Sequence, residues 1–194
     1  MTPELAIKEL IDGNLRFRKH EHITRDFMDE VQKSAAKQYP YAIILGCIDS
    51  RVPIEILFDQ GVGDLFITRV AGNFENTDIL ASMEYACNVV GSKLIMVLGH
   101  ESCGAVKATL DDVKMGHITD LVSRIKPAIA ATEINGAMSS KNKKCVDAVA
   151  KANVDLTIKR IKEKSPILKE LEAQGKIKIV GAFYQVHSGE VRLL

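Results

Sequence analysis

The sequence has no excess of either charge: 26 Lys and Arg stand against 25 Asp and Glu. A surface that seeks phosphate needs a basic surplus, so neither a nucleic acid nor an acidic membrane is expected as a partner. Long apolar runs are missing too. The segments YAIILGCI and KLIMVLG are strand-sized, well short of the ~18 residues of a membrane span. The opening MTPELAIKELIDGNLRF carries acidic residues early and lacks the basic-then-apolar order of a secretion signal. A cytoplasmic protein is therefore expected. No low-complexity linker or internal repeat divides the 194 residues, which read as one domain, 1–194, with an N-terminal helical arm over 1–38. Tryptophan is absent. The four cysteines, Cys47, Cys87, Cys103 and Cys145, are expected as thiols or metal ligands rather than disulfides.

What is present alternates between strand and helix. Leu5, Leu10, Ile11 and Leu15 recur at helical spacing and predict a helix over 3–19. A second, more polar helix is expected over 25–38. The continuous apolar run 41–47 reads as a strand buried on both faces. Pro53 suits the first turn of a short helix, 53–59, and LFITRV comes next as a second strand. Residues 76–91 predict a helix capped by Asn76 or Thr77, with Cys87 on its buried stripe and Gly91 as its stop. KLIMVLGH is a third strand. A helical stretch covers 119–172 with breaks near Gly136 and Pro166, KIKIVGAFY is a fourth strand, and GEVRLL is available as a fifth at the edge. The pattern predicts an α/β fold with a mostly parallel sheet in the order 2-1-3-4 and helices on both faces. In that order the ends of strands one and three meet at a topological switch point, where open α/β sheets place their ligands.

Two short words fall at those ends. CIDSR supplies Cys47, Asp49 and Arg51, and HESC supplies His100 and Cys103. Two thiolates and an imidazole suit zinc by softness, and three protein ligands leave a fourth position open. Asp49 can either fill that position or hydrogen-bond a water there. Arg51 can pull it off the metal through a two-pronged guanidinium–carboxylate pair. Each word alone has a plainer reading. A cysteine at a strand end is usually a small buried hydrophobe, DSR is usually a helix cap with a surface ion pair, and HxxC recurs by chance. Pattern alone leaves a metal site and two buried thiols evenly balanced. Cys87 and Cys145 are not expected as ligands, and His20, His22, His117 and His187 are expected to face solvent.

CIDSRVP, RVAGN, GHESCGAV and GAFYQVHSGEVRLL together resemble the beta-class carbonic anhydrases over nearly the whole chain. The resemblance implies one Zn2+ per subunit on Cys47, His100 and Cys103, with Asp49 and Arg51 as a catalytic dyad. It implies reversible hydration of CO2 to bicarbonate and a proton, by hydroxide on the zinc. Offsets from the ligands match the family's CO2 pocket to Gln38, Phe66 and Tyr85, and the Gly104 N–H is a further candidate donor to developing negative charge. One branch of the family closes the site with the aspartate as fourth ligand and has a second bicarbonate site using a tryptophan. The absence of Trp and the presence of Gln38 favour the open, plant-like branch, with Asp49 on Arg51 and a metal ligand only in a closed state. Val70 departs from the commoner Arg-Asn pair, while Arg69 is retained. Family members are dimers or larger assemblies with the site at the subunit boundary, so a homodimer or homotetramer is expected. The rivals are hydrolysis of carbon disulfide or carbonyl sulfide on the same scaffold, and a non-enzymatic zinc-stabilised protein. Asp49 beside Arg51 argues against the last, since structural zinc usually takes four protein ligands.

Overall fold

The computed structural model describes residues 1–134 and 136–194. Five strands form one sheet in the order β2-β1-β3-β4-β5: β1 Ala42–Gly46, β2 Leu65–Arg69, β3 Leu94–His100, β4 Lys178–Gln185 and β5 Glu190–Leu193. The first four run parallel, and β5 returns antiparallel to β4. Every residue of β1 and β3 is buried, as their continuous apolar runs require of central parallel strands. Side chains alternate between two cores. Ala42 and Ile44 face Leu10, Ile54, Leu57 and Phe58 on one side, while Ile43 and Leu45 face Ile79, Met83, Val154 and Ile161 on the other.

The helices sort to those faces. On the first lie α1 (Pro3–Lys19) and α3 (Ile54–Leu57). Thr2 caps α1 by accepting the Leu5 N–H at 3.3 Å, Pro3 occupies its first turn, and His20 ends it in a left-handed conformation. The buried Asn14 ties this helix down. Its Nδ2 donates to the carbonyls of Leu57 (3.0 Å) and Gly189 (2.9 Å), and its Oδ1 accepts the Val191 N–H at 2.8 Å. The opposite face carries α4 (Thr77–Glu84), α6 (Ile118–Ala130), α7 (Lys143–Lys164) and α8 (Pro166–Ala173), while α5 (Gly104–Leu110) comes after the end of β3.

Several boundaries differ from expectation. The polar second helix, α2, covers only Phe27–Ser34 and buries no side chain. Ser34 bonds its own Oγ back to Glu30 O, and the residues before Pro40 are biased to extended backbone. The short helix is four residues, not seven. The helix expected over 76–91 is α-helical to Glu84 and then widens into a π-helix, Tyr85–Val90, where the Gly91 and Ser92 N–H groups share the Ala86 carbonyl. The 119–172 stretch separates into α6, α7 and α8. Asn142 caps α7, and Ser165 both ends α7 and caps α8 through Leu168 N–H. No helix among the described residues is long and apolar enough to cross a membrane.

The strand register fixes the height at which each loop leaves the sheet. Gly46 pairs with Arg69 on one side and with Leu98 on the other. Cys47, the next residue, therefore emerges level with the end of β3 and its His100, at the point where the connections from β1 and β3 diverge.

Gly13 sits inside α1, where helix propensity alone would reward Gly→Ala by about 1 kcal/mol. A Cβ there would lie 1.8 Å from the Phe58 carbonyl oxygen. Gly13→Ala is therefore expected to destabilise the protein by about 1–3 kcal/mol in urea unfolding; a stabilised variant would contradict this docking of α1 on α3.

Candidate metal centre

Cys47 leaves β1 almost fully buried, and the loop after it is held through its carbonyl groups. Arg69, at the end of β2, donates Nε to Cys47 O and Nη2 to Asp49 O, both at 2.7 Å. The guanidinium thus fixes two carbonyls of the CID turn, a role that the sequence pattern did not assign it. Gly72, left-handed at φ 81°, directs its N–H to Cys47 Sγ at 3.3 Å.

Asp49 is turned onto Arg51. Oδ1 accepts the Arg51 backbone N–H (3.0 Å) and Nε (2.9 Å), and Oδ2 accepts Nη2 at 2.8 Å. This fork holds the carboxyl well below the usual carboxylate range. Asp49 Oδ2 still lies 4.0 Å from His100 Nε2, at the margin of the cluster.

His100 is fully buried. Its Nδ1 lies 2.9 Å from Glu101 O. A carbonyl can only accept, so Nδ1 carries the proton and Nε2 presents its lone pair inward. That Nε2 is buried without a hydrogen-bond partner among the described residues. Ser102 then turns the chain with φ 54°, its N–H held by Asp147 Oδ1 at 2.9 Å. Cys103 comes next, at the start of α5, where the Ala105 and Val106 N–H groups face its sulfur.

The ligand atoms of Cys47, His100 and Cys103 all lie within 4.8 Å of one another. The bond shared with the Cys103 thiol, against the opposing effect of burial, draws the Cys47 thiol down, with help from the Gly72 N–H; Cys103 is pushed up by the same sharing. A cation would relieve both the shared proton and the orphaned imidazole nitrogen, so this donor set fits a soft divalent metal. Cys87 and Cys145 are buried elsewhere, and burial pushes the Cys87 thiol up to about 12.

The other expected residues are only partly assembled. Phe66 and Tyr85 meet edge to face, centroids 6.4 Å apart, and line a cavity of about 470 Å3 with Ile43, Thr68 and Ser82. None of the cluster side chains lines it. Phe66 is level with Ile43, four residues before Cys47, which is about 13 Å along the strand. Gln38 does not join the two aromatics. Because α2 stops at Ser34, Gln38 lies exposed on the segment leading to β1, in a separate depression with Lys37 and Gly63. Gly104 opens α5 directly after Cys103.

His187 is exposed, as expected, but its ring is engaged: Nδ1 lies 2.7 Å from Glu101 Oε2. Lys143 reaches the other oxygen of Glu101 at 3.4 Å, so a residue between His100 and Cys103 is anchored from both sides. His22 likewise lies 3.5 Å from Asp59 Oδ1.

The Asp49–Arg51 fork has a pH consequence with a definite sign. A carboxyl whose folded value is depressed stabilises the fold above its unfolded value of about 4, and that contribution is lost as pH falls below it. In Arg51→Ala the Asp49 carboxyl is expected to titrate near the ordinary value of about 4, while in the parent it remains ionised there. Side-chain carbon NMR resolves the two; an unchanged Asp49 titration would refute the fork as its cause.

A family model described as carbonic anhydrase matches residues 42–191. The carbonic anhydrase of Mycolicibacterium smegmatis is 39% identical over 99% of this chain and 93% of its own length. Carbonic anhydrase 2 of Mycobacterium tuberculosis is 37% identical over 99% of this chain and 93% of its own. Among solved structures, the Coccomyxa beta-carbonic anhydrase in complex with acetazolamide gives a TM-score of 0.75 at 27% identity, covering 86% of this chain and 78% of that one. The tetrameric beta-carbonic anhydrases of the ascomycete Sordaria macrospora give 0.74 at 24% identity, covering 86% and 90%, a likeness of fold. With the family model spanning most of the sheet and both cysteine loops, the chain belongs to the carbonic anhydrases, in their beta class.

Proposed function

We propose that this protein hydrates CO2 reversibly to bicarbonate and a proton, at one Zn2+ per subunit held by Cys47, His100 and Cys103. The observation that carries the reading is the convergence of those three donor atoms beside an Asp49 bonded away to Arg51. Zinc in a three-ligand site of this kind lowers the pKa of a coordinated water to about neutrality.

The chain's own residues supply the rest. Arg51 keeps Asp49 ionised and off the ligand atoms, so the carboxylate can accept a hydrogen bond from the nucleophile and orient it. This favours the open branch, with Asp49 as a fourth ligand only in a closed state. The Gly104 N–H, in the first turn of α5, is a candidate donor to charge developing on the substrate oxygen. Phe66 and Tyr85 offer an apolar wall to CO2. As their cavity is not lined by the metal cluster of the same chain, we place it against the metal centre of a second subunit, in a homodimer or homotetramer, with Gln38 brought to it by the same packing. Four free cysteines agree with a reducing, cytoplasmic setting.

Stopped-flow CO2 hydration on the zinc-loaded protein tests the scheme. The parent should be active, and Asp49→Ala should keep its zinc while losing about 100-fold or more in kcat. Cys47→Ser should lose zinc by metal analysis, while Cys87→Ser and Cys145→Ser should retain it. A zinc-loaded parent that is inert from about pH 7 to 9, where a water of near-neutral pKa is ionised, would refute the function.

A further inference from the structure

Helix α7 is mostly a core helix, yet one face of it presents amide and cationic groups to the loop after β2. Asn153, only 1% exposed, donates its Nδ2 to the carbonyl oxygen of Gly72 at 2.8 Å. Further along the helix, Lys164 donates to Glu75 Oε1 at 2.6 Å. The helix thus grips the 72–75 loop at both ends.

Gly72 is the residue whose N–H points at Cys47 Sγ. Its position leaves no room for a side chain. The backbone is left-handed there, and a Cβ would lie 2.4 Å from Ile125 Cδ1 and 3.2 Å from Ala105 Cβ. The Asn153 amide, 81 residues away in sequence, fixes the carbonyl side of this glycine.

We infer that Asn153 is a positioning residue for the metal centre: by holding Gly72 through its carbonyl, it keeps the Gly72 N–H on the Cys47 thiolate. This rests on the reading of Cys47 as a metal ligand. A hydrogen bond to a ligating sulfur draws charge away from it, so the thiolate gives less to the metal and the metal remains a stronger Lewis acid. Asn153 touches neither metal nor substrate, and acts through the backbone of one residue, Gly72, whose C=O it holds and whose N–H meets the sulfur.

Cobalt substitution reads this directly. The cobalt-loaded parent should show a thiolate-to-metal charge-transfer band. In Asn153→Leu, and in Asn153→Asp, which keeps the shape but loses the donor, that band should shift to lower energy, because a thiolate without its hydrogen bond is easier to oxidise. Metal affinity by competition with a chelator should fall about 10–100-fold in both, because the sulfur loses the contact that orients it and this outweighs its stronger donation. Thr157→Val, one turn along the same buried face of α7, perturbs the packing without touching Gly72 and should move neither. In the parent loaded with NMR-active cadmium, the Gly72 amide proton should couple to the metal through Cys47 Sγ, a measurement that needs no variant. A parent without a thiolate band would overturn the metal reading and this inference with it. A parent band that both Asn153 variants leave in place, an equal shift in Thr157→Val, or no coupling to Gly72 would overturn this inference alone.

Discussion

The parallel pairing of β1 with β3 is the constraint on which the site depends. Gly46 sits opposite Leu98, so Cys47 and His100 leave the sheet at nearly the same height on neighbouring strands. A slip of one residue would turn Cys47 to the other face. Burial of both strands on both sides makes that slip costly, because Ile43, Ile44 and Leu45 would each exchange one packed core for the other. The two-sided burial that stabilises the central strands is therefore also what aligns Cys47 with His100.

Around that alignment the protein arranges two guanidinium groups with different tasks. Arg69 binds carbonyl oxygens and fixes backbone; Arg51 binds a carboxylate and fixes its charge. Neither could be exchanged for lysine without loss, since each contact uses the planar, two-pronged geometry of the guanidinium. On the His100–Cys103 loop, Glu101 is clamped by His187 and Lys143, while its own carbonyl selects the His100 tautomer. Both loops of the cluster are thus held by side chains that do not enter it.

The strands, their order and the meeting of Cys47, His100 and Cys103 were legible in the sequence because each leaves a local mark. YAIILGC and KLIMVLGH are unbroken apolar runs, and CIDSR and HESC place several reactive side chains within a few residues. What was not legible is made by backbone atoms or across long separations. Nothing in RVAGN shows that the Gly72 N–H meets a sulfur. The π-helical turn at Tyr85–Val90 keeps the apolar spacing of an ordinary helix closely enough to pass for one. The end of α2 at Ser34 depends on a side chain competing for a carbonyl and on the proline at position 40. Gln38 lies apart from the aromatic pair within one chain, and no local pattern records what a second subunit would bring to that cavity.

Asn14 joins α1 to the turn and strand beyond β4, through partners 175 and 177 residues further along. Its remaining bond, to Leu57 O, spans only 43. During synthesis the helix can therefore dock on α3 early but cannot satisfy its buried amide until the β4–β5 hairpin has emerged. Until then a polar group stands desolvated or the helix stays loose, which leaves the α1 face of the sheet open to other contacts. The first helix made is among the last to be locked.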